Sequence, residues 1–262
     1  MNRHQETFMT VKELGSSCPA YRPTFELTST SDTEKSYIDS THELLSMCRV
    51  KNGSLIQLEN KGWRLQKYIP GWLHRADALK LYEMAYFAQG DILELGSFRG
   101  LSTTIMANAV RNAPSEKHIY SVDMSPKCVR KTADTLRRNQ VSDLVTTICS
   151  EGALAIRTLR DGGKRFAFAF IDHSHAYEPV LNVCRELASV ITPGGFCLFH
   201  DFNDPRNREE DNKDYGVYQA VNTGLDSDLF EFYGIYGCTA LYRLKEEAAQ
   251  NYDSGTQTKI SA

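Results

Sequence analysis

Two short stretches of this sequence gather side chains suited to proton transfer and cation binding. The apolar run FAFAFI leads into Asp172, His173, Ser174 and His175, and the apolar run GFCLF leads into His200 and Asp201. Apolar runs of this kind read as strands buried on both faces of a sheet. If the two strands are neighbours, Asp172 and Asp201 meet at one end of the sheet. Like charges that close are unfavourable unless something neutralises them. A divalent hard cation does so, and Mg²⁺ accepts one or two carboxylates together with waters and substrate oxygens. Plainer roles stand beside this one. Asp172 is also a good helix cap, His175 can sit idle at a helix start, and His200 can serve local packing. His173 reads as structural or as a contact to a bound ring.

A third stretch, DILELGSFRGLSTT from Asp91 to Thr104, has the form of strand, glycine turn and helix. Gly96 and Gly100 bracket the turn, and Ser102 or Thr103 is placed to cap the helix. The next strand candidate, HIYSV, ends at Asp123. An acid there accepts hydrogen bonds from ribose hydroxyls, as in dinucleotide folds with an acid about 20 residues past the glycines. The turn lacks the G-x-G-x-x-G spacing that brings backbone close to a pyrophosphate, and Glu94 precedes it. A carboxylate repels pyrophosphate and attracts a cationic ligand. S-adenosylmethionine (SAM), with an adenosine, a sulfonium and an amino group, suits the turn better than NAD.

The elements that must hold these residues alternate strand and helix from Asp91 onward. The strand candidates are DILEL, HIYSV, LVTTI, FAFAFI, GFCLFH, LFEFYG and CTALYRL. LSTTIMANAVRN, SPKCVRKTADTLRRNQ, EGALAIRTLR and EPVLNVCRELASVI have helical spacing. Strands joined by helices of this length predict a parallel sheet wound on both faces. Only a short turn around Ile235 to Gly237 separates the last two strands, which predicts an antiparallel hairpin. PGG before the fifth strand reads as a turn. Upstream, YIDSTHELLSMCRV and GWLHRADALKLYEMAYFAQG read as helices, the second ending near Gly90.

Taken in order, GWL with its LYEMA helix, ELGSFRGLST, IDHSHAYEPV and TPGGFCLFHD resemble the class I SAM-dependent methyltransferases grouped as the Methyltransferase-24 family, over roughly Gly71 to Asp201. The resemblance implies a Rossmann-like, doubly wound α/β fold with a seven-stranded sheet. It implies O-methylation of a small hydroxylated acceptor of sugar or natural-product type. It places Glu94, Gly96, Ser97 and Gly100 at the methionine end of SAM, Asp123 at the ribose, and Ser150 and Glu151 beside the adenine, with Asp172 also at the cofactor. Some of these enzymes hold Mg²⁺ through the aspartate of a D-x-x-H segment and use its histidine as general base. Here those positions are Asp172 and His175. An acidic pair supplies the later ligands in those enzymes, and here it reads His200 and Asp201. Imidazole suits Mg²⁺ less well than Mn²⁺ or Zn²⁺, so the pattern is compatible with a softer metal and also with no metal.

The chain divides, on this reading, into an N-terminal arm and helical cap (1–70), a methyltransferase domain (71–245) and a polar tail (246–262). The charged stretch DFNDPRNREEDNKDYGVYQAV reads as a solvated loop or a substrate lid, with Trp63, Tyr68 and Trp72 as a second wall. Formal net charge is −3 over 262 residues, which gives no general attraction to nucleic acid. No segment approaches the roughly 20 apolar residues of a membrane span, and the N-terminus lacks the apolar run of a secretory signal. Seven scattered cysteines without a C-x-x-C pair fit reduced thiols in a cytoplasmic protein. A homo-oligomer is compatible with the sequence. Three other classes compete: an NAD-dependent oxidoreductase, a non-catalytic SAM-fold partner protein, and a metal-dependent enzyme of this fold that transfers no methyl group.

Overall fold

The computed structural model describes residues 48–51, 55–58, 69–73, 75–209 and 211–247. A two-stranded antiparallel ribbon, β1 (Cys48–Lys51) and β2 (Leu55–Leu58), precedes helix α1 (Arg75–Phe87). The alternation then runs β3 (Ile92–Leu95), α2 (Leu101–Asn112), β4 (Ile119–Asp123), α3 (Pro126–Arg138), β5 (Val145–Cys149), α4 (Gly152–Asp161), β6 (Phe166–Ile171), α5 (Tyr177–Leu187) and β7 (Ile191–Phe199). Helix α6 (Val217–Gly224) and the strands β8 (Phe230–Tyr236) and β9 (Thr239–Leu244) complete it.

The seven-stranded sheet has the order β5-β4-β3-β6-β7-β9-β8. β5 through β7 are parallel, and β9 runs antiparallel to both β7 and β8. The chain leaves β3 toward β4 and β5, then returns to lay β6 on the other side of β3. The order therefore reverses between β3 and β6, and a crevice opens at their carboxyl ends, where ligands bind in sheets of this kind.

Alternation along β6 builds a core on each face of the sheet. Phe168 and Phe170 pack with Leu81, Tyr82, Ile105 and Met106 of α1 and α2. Ala169 and Ile171 pack with Ile156, Val180, Val183 and Leu187 of α4 and α5. Helix starts have local causes. Pro126 pre-sets the first turn of α3, where the Ser125 hydroxyl accepts from the Cys128 N–H.

The sequence reading needs correction at its edges. Cys48 to Val50, read as the end of a helix, form a strand paired with Ile56–Leu58. The intervening Asn52-Gly53 pair is a hairpin signal that outweighs the weak helical spacing. The rest of that helix lies outside the described residues. Thr192–Gly195 belong to β7, where Gly194 has φ 75° and the register with β6 shifts. The stretch read as loop or lid contains α6, whose Val217, Ala220 and Val221 are buried.

Phe168→Ala removes a fully buried ring from the central strand. It is expected to cost about 3–5 kcal/mol, read as a lower midpoint in urea denaturation with an unchanged slope.

Candidate functional site

A cavity of about 730 Å³ opens at the crevice, and Gly96, Ser97, Asp123, Asp172, His173, His175, His200 and Asp201 are among its lining residues. Gly96 adopts φ 97°, and a Cβ there would lie 2.2 Å from the carbonyl oxygen of Asp172. Only glycine lets the β3 turn touch the exit of β6. Phe98 takes the left-handed conformation at φ 47°, which aims its N–H at Asp123 Oδ2, 2.9 Å away. The Ser125 N–H donates to Asp123 Oδ1 at 2.8 Å. Two backbone donors thus fix this carboxylate, and each oxygen keeps a lone pair for a ligand. Ser97 is buried against Thr132.

Other expected cofactor residues stand elsewhere. Glu94 is not among the cavity's lining residues. It is fully buried and accepts from Ser102 Oγ (2.5 Å), Thr103 Oγ1 (2.6 Å) and Ser121 Oγ (2.5 Å). Burial pushes its carboxyl up to about 7 despite these three hydroxyls. Glu94 ties β3 to α2 and β4. Ser102 and Thr103 are therefore not caps, and Gly100 opens α2 at φ 87° without a side-chain cap. Gly100, Ser150 and Glu151 are not among the lining residues either. Ser150 donates to the Glu151 carbonyl, and Glu151 caps α4 by accepting from the Ala153 and Leu154 N–H groups at 3.0 and 2.8 Å.

The strand ends bring Asp172, His175, His200 and Asp201 together. His175 Nε2 lies 2.9 Å from Asp201 Oδ2. Its ring stacks on Tyr215 with centroids 4.7 Å apart, and its carbonyl accepts from the Gly216 N–H at 2.8 Å. The hydrogen bond with Asp201 raises the His175 pKa above its ordinary value, against partial burial. Burial lowers that of His173, whose Nε2 lies 3.3 Å from the Pro179 carbonyl. His200 Nδ1 stands 3.3 Å from Asp172 Oδ1 and 3.2 Å from Asp201 Oδ2, and its Nε2 is 3.7 Å from Asp77 Oδ2. These contacts lack hydrogen-bond alignment and act as ion pairs. Burial opposes charge on His200, but the carboxylates outweigh it and raise its pKa well above the ordinary imidazole range. Burial likewise works against the charge of Asp201, and the two imidazoles hold its carboxyl far below the usual range.

The expected metal ligands Asp172, His200 and Asp201 thus meet, and donor atoms of Asp172, His175 and Asp201 lie within 4.8 Å of one another. Two carboxylates and an imidazole make a mixed oxygen and nitrogen donor set, which suits Mn²⁺ or Zn²⁺ better than Mg²⁺, an ion that takes oxygen ligands and keeps several waters.

Sequence reasoning missed Asp77, Arg206 and Tyr215. Asp77 is buried in α1, and its Oδ1 accepts from the Cys238 N–H at 2.7 Å, a link across 161 positions with no local signal. Tyr215 and Arg206 lie in the stretch read as a possible lid, and both line the cavity. The Arg206 guanidinium sits 3.9 Å from the centre of the Tyr215 ring and pairs with Asp204. Trp72, which is 65% exposed, lies against Phe98 at 5.4 Å and lines the opening as expected. Trp63 and Tyr68 lie outside the described residues. Among the described residues no helix is long and apolar enough to cross a membrane.

Residues 93–202 match a family model described as "Methyltransferase domain", Methyltransferase-24. The matched residues overlap the stretch over which the motifs resemble that family. Solved structures share the fold. An O-methyltransferase from Bacillus cereus in complex with S-adenosylhomocysteine (SAH) aligns with TM-score 0.56 and 14% identity, over 92% of this chain and 99% of that one. An O-methyltransferase from Streptomyces achromogenes involved in tomaymycin synthesis, in complex with SAM, aligns with TM-score 0.54 and 16% identity, over 94% and 99%. No curated protein matches the sequence.

The raised Glu94 pKa has a consequence for stability. The folded state binds a proton more tightly than the unfolded state, so stability falls as pH rises from the ordinary value of 4.5 to about 7. Glu94→Gln is expected to flatten that fall, measured as unfolding free energy against pH.

Proposed function

Taking residues 93–202 as a methyltransferase domain, we propose that this chain is a SAM-dependent O-methyltransferase acting on a hydroxyl of a small molecule of sugar or natural-product type. The observation that carries this reading is the meeting, at one crevice, of the Gly96 turn, the doubly held Asp123 and the His175–Asp201 pair. The cradle that only glycine permits and the oriented carboxylate fit an adenosyl ligand without phosphate. The ligand supplies a methyl group already activated by its sulfonium. The catalytic unit is assigned to 71–245, with the segment before it and the stretch from Phe202 to Gly216 as covers of the acceptor.

The protein's part is positioning and proton removal. Asp123 accepts the ribose hydroxyls, and the backbone of Gly96 and Ser97 lies against the methionine end. In His175 the Nε2 proton faces Asp201, which leaves Nδ1 to take the acceptor's hydroxyl proton as the O–CH₃ bond forms and the S–CH₃ bond breaks. Asp201 then stabilises the imidazolium. Tyr215 fixes the ring plane, and holding the two reactants in line supplies much of the rate.

Asp123→Ala is expected to weaken SAH binding about ten- to hundredfold, the scale of hydrogen bonds to a charged group, measured by calorimetric titration. Unchanged affinity removes the ribose assignment. His175→Ala is expected to lower turnover about 10²- to 10⁴-fold and to leave SAH affinity unchanged, measured as labelled methyl transfer across a panel of hydroxylated acceptors. The base works when neutral and its pKa is raised, so turnover should climb with pH through a midpoint above the ordinary 6.5. A midpoint below that value would count against His175.

A further inference from the structure

We infer that Arg206 anchors a carboxylate of the acceptor, so that the crevice selects hydroxylated ring compounds carrying a negative charge away from the reacting hydroxyl. This rests on the reading of the crevice as an O-methyltransferase site and deepens it. The first support is the way the guanidinium is held. Its Nε and Nη2 donate to Asp204 Oδ1 and Oδ2 at 2.8 and 2.6 Å, and the Arg206 backbone N–H donates to the same Oδ1 at 2.8 Å. Its flat face lies 3.9 Å from the centre of the Tyr215 ring. One edge and one face are thus fixed, while Nη1 has no partner among the described residues. A guanidinium carries donors and no acceptor. The remaining edge, Nη1 with the second Nη2 proton, is a held fork of the kind that takes a carboxylate.

Place is the second support. The guanidinium of Arg206, the ring of Tyr215 and the ring of His175 form one stack, with the two rings 4.7 Å apart. Arg206 therefore stands one aromatic layer beyond the assigned base, at the acceptor's end of the cavity. The surroundings are the third. Arg206 is the one lysine or arginine among the described residues that line the cavity, whereas Asp123, Asp172, Asp201 and Asp204 line it with carboxylates. A negative group on the acceptor is repelled by those aspartates and attracted by this one side chain. Asp204 is almost buried and its oxygens face Arg206, so it orients the guanidinium and does not compete for the ligand. Pro70, Trp72 and Leu73 add an apolar wall that suits the body of a ring.

The test reads binding apart from turnover. Its probes are para-hydroxybenzoate with its methyl ester and glucuronate with its methyl ester, pairs that differ in charge and hardly in shape. The full-length protein is loaded with SAH and titrated with each probe, followed by ligand-observed nuclear magnetic resonance. The acid of at least one pair is expected to bind about ten- to hundredfold more tightly than its ester, and added salt is expected to narrow the gap. Arg206→Gln is expected to remove the preference and Arg206→Lys to keep part of it, with SAH affinity unchanged in both. Loss of packing alone would weaken acid and ester alike. Equal binding of acid and ester in both pairs, no binding of either acid at millimolar concentration, or a preference that survives in Arg206→Gln would overturn the inference. Labelled methyl transfer from SAM judges the activity separately. Acids that bind through Arg206 but accept no methyl group would leave the anchor standing and count against the activity. Methyl transfer to acids and esters with equal kcat/KM would do the reverse.

Discussion

Negative charge gathered at the carboxyl ends of buried parallel strands has to be balanced on the spot, and this constraint shapes the crevice. Asp172 leaves β6 and Asp201 leaves β7, while α1 adds Asp77 from behind. Solvent cannot screen such a group, since two of the three are almost fully buried. His200 lies among them and His175 closes the open side. The same arrangement that makes the carboxylates tolerable raises the affinity of His175 for a proton. Charge balance and base strength are therefore one property of the fold.

The turn that receives the ligand depends on a second buried carboxylate. Glu94 belongs to β3, and its three hydroxyl partners come from α2 and β4. It holds the start of α2 against the sheet and so sets where the Gly96 turn points. The turn then reaches the exit of β6, where only a missing Cβ permits contact. The backbone that cradles a ligand and the strand that delivers Asp172 are in direct touch. A shift in either would move both.

The stretch after β7 joins this arrangement through aromatic stacking and backbone bonds. Asn207 donates to the Asp201 carbonyl at 2.7 Å, and its side-chain oxygen accepts from the Tyr218 N–H at 3.2 Å. Tyr215 covers His175, and Arg206 covers Tyr215. The segment is highly charged in sequence, yet it is anchored to the site at its start and its end. Its buried anchor, α6, packs on α5 through small and β-branched residues.

Much of the fold was legible in the sequence because it rests on local and periodic signals. The apolar runs of β3 to β7, the helical spacing between them and the short turn before β9 set a parallel sheet with an antiparallel hairpin, and Asp123, Asp172, His175 and Asp201 fall at strand ends for that reason. The helix expected to reach Cys48 was misread because its spacing is weak and the pairing of β1 with β2 is not local. Glu94 was recognised as unusual, but its destination was not, since burial and three hydroxyl partners exist only once α2 and β4 are packed on β3. His200 was placed beside the aspartates, yet sequence could not reveal Asp77 behind it. Composition and periodicity act along the chain and decide which elements form. The charge state of a buried ring depends on what surrounds it in space, and only the tertiary structure decides that.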